Sequence, residues 1–141
     1  MVGDIFLKAK VRTIKQKVVI PASPKEVYEA YVNPKILSKI TGSKATGKAV
    51  VGGKYTAYGD SILGKYLELE DGKRVVQEWT NNDYGFTSSR LELCFNKVPE
   101  GTELVMVLSD VPEEQADEVL EGWIEYFWDP YKKYFSQKSK A

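Results

Sequence analysis

In the last third of the chain, apolar residues recur at three- and four-residue steps, from Leu120 through Trp123, Ile124, Phe127 and Tyr131 to Phe135, behind an acidic stretch opened by Pro112. This spacing sets them on one stripe of a helix of about 3.6 residues per turn, and a stripe that wide has to be buried. The pattern predicts one long C-terminal helix. Gly122 and Pro130 interrupt it. Glycine permits close approach to the layer beneath and proline removes a backbone donor, so a bend is expected between them.

Upstream the period is two. Arg12 to Ile20 is rich in β-branched residues and reads as a first strand, stopped by Pro21. Ser23, Pro24 and Glu26 then carry a helix start: a capping serine, proline at the first helical position, and a glutamate reaching back. Val27, Ala30 and Tyr31 supply that helix's inner face. Asn33 and Pro34 end it and open a second short helix with Ile36, Leu37 and Ile40, ending near Gly42. Turn pairs at Gly52-Gly53, Gly59-Asp60, Asp71-Gly72, Asn81-Asn82 and Glu100-Gly101 divide the rest into strands over 44–51, 54–58, 62–70, 73–80, 87–98 and 102–109. Alternation puts Leu91, Leu93 and Phe95 on one face of the sixth of these strands counted from the first, Leu104, Met106 and Leu108 together on the seventh, and Val75 with Trp79 on the fifth, as the candidate lining of the helix-facing side. The fold class is α+β, with a seven-stranded antiparallel sheet against a long helix. Residues 137–141 read as a frayed polar tail.

At 141 residues the chain fits one domain, 1–141, with a core of its own. Its zero net charge hides an uneven split: residues 1–60 carry eleven Lys or Arg against four Asp or Glu, and the remainder nine against sixteen. Neither a signal-peptide pattern nor an apolar run of membrane-spanning length is present, so a cytoplasmic location without membrane contact is expected. The chain has no histidine and a single cysteine, Cys94. That removes Ser-His-Asp and Cys-His catalysis, any histidine zinc site and any intrachain disulfide. Cys94, between Leu93 and Phe95 on a strand, reads as a packed residue. Glu68, Glu78 and Glu92 alternate with apolar neighbours and are expected to face solvent rather than act as general acids or bases. A non-enzymatic protein without metal or cofactor is the expectation.

Two motifs point elsewhere and are weak. Gly42, Gly47 and Lys48 match part of a phosphate-binding loop, but Ala49 stands where the magnesium-binding Ser or Thr belongs, and a helix precedes where a strand is required. Lys8, Lys10, Arg12, Lys15 and Lys17 are basic, yet no aromatic ladder or arginine-rich groove accompanies them. They read as the solvated side of an edge strand, where charge discourages sheet-to-sheet pairing, rather than as a nucleic-acid surface.

The element order is that of a helix-grip domain, START-like and birch-pollen-allergen-like. More specifically, Ser23-Pro24 with Val27-Tyr28, Gly52-Gly53-Lys54-Tyr55, Ile62 and Gly64, Arg74 to Trp79, and Gly122-Trp123 with Tyr126-Phe127 resemble the C-terminal domain of the activator of the ninety-kilodalton heat-shock-protein ATPase, in the SRPBCC superfamily. The resemblance covers about 14–135. It implies a co-chaperone-like module that binds a heat-shock chaperone of the ninety-kilodalton class. The eukaryotic members carry a separate N-terminal domain, so docking without much ATPase activation is expected here. Other START-like branches bind hydrophobic small molecules or, less often, act on polyketide-like substrates. A second expectation follows: an apolar ligand between sheet and helix, lined by Tyr55, Trp79, Leu93, Met106, Trp123 and Phe127. The same side chains serve equally well as plain core, and the sequence leaves both readings, and the oligomeric state, open.

Overall fold

A computed structural model describes residues 10–83 and 86–140; Lys8, and Ala141 at the end of the expected polar tail, lie outside them. The chain begins with β1 (Val11–Ile20), then α1 (Pro24–Val32) and α2 (Pro34–Thr41). Both caps form as the sequence requires. The Ser23 side chain accepts from the Glu26 backbone N–H while Glu26 reaches back to the Ser23 N–H, and Gly42 ends α2 at φ +73°, a left-handed conformation that favours glycine.

Six further strands follow: β2 (Thr46–Gly47), β3 (Lys54–Ala57), β4 (Ile62–Glu70), β5 (Arg74–Asn81), β6 (Phe86–Val98) and β7 (Gly101–Pro112). They form one antiparallel sheet in the order β1-β7-β6-β5-β4-β3-β2. The strand expected over 44–51 is cut to two residues. From Lys48 onward the backbone closes on itself, with Val50 N–H donating to the Lys48 carbonyl and Gly53 N–H to Val50, while Gly52 N–H turns to Tyr66 on β4.

Register builds the core in rows across the sheet. Ile14 pairs with Leu108 and Leu108 with Leu91; Gln16 pairs with Met106 and Met106 with Leu93, which faces Val75. All the apolar members of these rows are buried. Gln77 sits among them. Alternation puts it between Val75 and Trp79 on the inner face, and the Tyr31 hydroxyl on α1 donates to its Oε1 at 2.7 Å, so a buried amide is satisfied rather than stranded. Burial above all, with Tyr66 nearby, raises the Tyr31 phenol well above its ordinary pKa.

The C-terminal helix covers this face in four segments. A 3₁₀ turn (Glu113–Gln115) leads into α3 (Ala116–Trp123), a π turn spans Ile124–Trp128, and α4 runs Asp129–Lys140, so the polar residues from Gln137 to Lys140 continue the helix. The interruption expected between Gly122 and Pro130 is therefore a π turn. In a regular helix residues five apart diverge by about 140° around the axis, whereas i→i+5 closure stacks them. Trp123 and Trp128 consequently both face the sheet, with ring centroids 5.3 Å apart. Ile124, expected on the buried stripe, is instead 40% exposed, and Trp128 takes its place inside. Gln16 on β1 locks this arrangement: its Oε1 accepts from the Trp128 indole N–H at 2.6 Å, and its Nε2 donates to the Leu120 carbonyl at 3.4 Å.

Candidate functional site

Under the junction of α3 and the π turn, the core is not filled. A cavity of about 360 Å³ opens to solvent there, between the helix and the turns that follow β3 and β5. One wall is aromatic. Trp79 on β5 meets Trp123 at 5.6 Å between centroids, Trp123 stacks on Phe127 at 4.4 Å, and Tyr58 contacts Phe127 and Tyr126 edge-on at 5.8 and 5.4 Å. The other wall is polar, made by Ser43, Ser61, Asn81 and Asp83. Gly122 completes the helical side, where any larger residue would take up space.

Of the six residues expected to line a ligand, the structure brings Trp79, Trp123 and Phe127 together on the wall of this cavity. Leu93 and Met106 do not line it. They pair across β6 and β7 in the middle of the sheet, fully buried, where α1 and the helix close over them. Tyr55 does not either. Gly64 lies opposite it on β4, and this absent side chain lets the Tyr55 ring cross the strand so that its hydroxyl donates to the Glu78 carbonyl on β5 at 2.9 Å. A Cβ on Gly64 would meet that carbonyl oxygen at 1.8 Å. Tyr55 lines only a gap of about 10 Å³, room for one water.

Sequence reasoning missed Tyr58, Tyr126, Asn81 and Asp83. All except Tyr126 sit at strand ends beside turns that were legible, and a turn at the rim of a sheet is the place where loops carry function. Tyr58 has φ +53°, uncommon for a non-glycine residue. Its hydroxyl donates to the Tyr126 carbonyl. Pro130, four residues on, has no N–H to offer that carbonyl. Burial, then Tyr126 and Glu125, push the Tyr58 phenol up to about 12. Asp83 is tied into the rim through its backbone N–H, which donates to Asn81 Oδ1, and its carboxylate accepts from Ser61.

Elsewhere the polar groups are structural. Glu68 and Glu92 lie on the outer sheet face, where Arg74 donates to both, to Glu92 at 2.6 Å, and Arg90 approaches Glu68 at 3.7 Å. Cys94 is half-buried, and that burial pushes its thiol pKa upward, away from a reactive thiolate. Among the described residues no group of His, Cys, Asp and Glu could hold a metal ion, and no helix is long and apolar enough to cross a membrane.

With this geometry in hand, the comparisons fix the family. A family model described as activator of Hsp90 ATPase homolog 1-like protein matches residues 21–136. The chain belongs to that family. An activator of 90 kDa heat shock protein ATPase homolog from Dictyostelium discoideum is 30% identical over 135 residues, covering 94% of this chain and 35% of that protein. The human homolog 1 is 25% identical over 115 residues, 80% of this chain and 34% of that protein. The chain thus spans about a third of the length of these relatives. Among solved structures, an HSP90 activator from Plasmodium falciparum superposes with a TM-score of 0.70 at 22% identity, over 84% of this chain and 91% of that one. That likeness fixes the helix-grip fold of the Hsp90-activator family.

Proposed function

We propose that this protein is a non-catalytic binding module that docks on a chaperone of the ninety-kilodalton heat-shock class. The observation that carries the reading is the family match over 21–136, shared with relatives that are themselves named as activators of that chaperone's ATPase. The physics is compatible with it: an excess of base in the first sixty residues and of acid in the rest favours electrostatic encounter, which weakens with salt. Calorimetry against a purified ninety-kilodalton chaperone at low and high salt, beside an ATPase assay, separates the outcomes. Salt-sensitive binding with little stimulation is expected. Strong stimulation would make the chain an activator in its own right, and no binding at low salt would end the chaperone reading.

The cavity favours a second reading, the binding of a small apolar molecule. At about 360 Å³, with aromatic walls and a few polar groups, it has the size and make-up of a ligand site. An apolar fluorescent probe is expected to saturate at one per chain and to change tryptophan emission, since Trp79 and Trp123 form the wall. A titration without saturation would leave the protein-binding reading alone.

A further inference from the structure

The chemistry around the cavity selects by charge. Five of its lining residues, Tyr58, Trp79, Trp123, Tyr126 and Phe127, are aromatic, and among the described residues none that lines it is Lys or Arg. Aromatic faces carry negative quadrupole potential and attract cations lying within about 6 Å of the ring centre. The one carboxylate in the lining, Asp83, has the same preference, and its side chain accepts only from the neutral Ser61 hydroxyl among the described residues. Glu125 does not join it: it lines a separate groove on the other side of the helix with Lys39 and Lys133. One carboxylate, Asp83, thus sits in the lining of a half-enclosed aromatic box.

We infer that the cavity is built for a small organic cation, an aryl or alkyl ammonium whose apolar body lies against Trp123 and Phe127 and whose charge faces Asp83. The inference rests on the ligand-binding reading of the cavity and narrows it, because fatty acids and other carboxylates would meet aromatic faces and an acid, with no basic side chain in the lining to pair. An apolar wall alone would accept hydrocarbon, cation and anion according to size. Here the anion loses twice.

Three probes sharing one naphthyl body test this: naphthylmethyl-trimethylammonium, the neutral isopropylnaphthalene and naphthylacetate, titrated by tryptophan fluorescence. The cation is expected to bind about tenfold tighter than the hydrocarbon, a factor within reach of one desolvated cation–π contact beside a carboxylate, and the carboxylate weakest of the three. Raising salt should weaken the cation alone. Asp83→Asn, at an exposed position where folding should survive, should remove most of the cation's advantage and leave hydrocarbon binding within twofold, whereas Glu125→Gln, outside the lining, should change neither. Equal binding of cation and hydrocarbon, or tighter binding of the carboxylate, overturns the charge inference and leaves the cavity as an apolar site. Failure of all three probes to bind removes the ligand reading and the inference with it.

Discussion

Two residues concentrate the packing chemistry. Trp123 is buried against Trp79, Phe127 and Trp128, and its indole N–H has no hydrogen-bond partner among the described residues. Trp123→Ala is expected to cost about 3–5 kcal/mol in a urea melt, as a large-to-small change in the core; a loss below about 1 kcal/mol would mean that the ring stabilises the cavity wall hardly at all. Gly64→Ala acts oppositely, by overfilling. Its Cβ would strike the Glu78 carbonyl, part of the backbone, so β4 or β5 must shift, at about 1–3 kcal/mol or more; a melt matching wild type would show that the strand yields freely. Single residues were legible where period two decides them: Leu91, Leu93, Phe95, Leu104, Met106 and Leu108 are all on the inner face as read. Gln77 obeys the same alternation, yet a glutamine gives no sign of being buried until Tyr31, 46 residues away, is seen to bond it.

Among the elements, α1, α2 and β4 to β7 stand where turn residues and caps place them, because those signals are local. The C-terminal helix shows where local reading ends. Periodicity assumes a constant rotation per residue, and the π turn breaks that assumption over Ile124–Trp128, which is why Ile124 and Trp128 exchange places. The adjacent pair Phe127-Trp128, four and five residues after Trp123, was the available hint: all three cannot face one way in a regular helix. Gln16 stabilises that register from outside the helix. Gln16→Ala leaves the buried Trp128 N–H without its acceptor and is expected to cost about 1–3 kcal/mol. Gln16→Glu, which keeps an acceptor oxygen, should recover part of the loss in the same denaturant series, and equal losses in both variants would exclude the hydrogen bond as the cause.

For the whole molecule, the fold was legible and the site only half so. From β2 to β7 strand order follows chain order as in a meander, with β1 added beside β7, whereas a cavity is defined by what fails to fill it, and no residue pattern records a void. Stability against pH also belongs to this scale. Burial raises the phenols of Tyr31, Tyr55 and Tyr131 well above their ordinary value in the folded state. Above a pH of about 10 the unfolded chain releases those protons and the folded chain keeps them, so stability is full below that pH and falls as pH rises, by about 1.4 kcal/mol per unit for each such phenol. With no histidine in the chain, no imidazole step should appear near neutrality. Melting temperatures across pH 6 to 11 check both statements, and a flat profile beyond pH 10 would argue against buried, protonated tyrosines. The Tyr58 hydroxyl ties the β3–β4 turn to the Tyr126 carbonyl of the helix, beside the cavity. A molecule passing between turn and helix must wait for that bond to break. Residence time and affinity are then separable quantities: Tyr58→Phe should quicken entry and exit together in stopped-flow traces, while the ratio of the two rates stays nearly where it was.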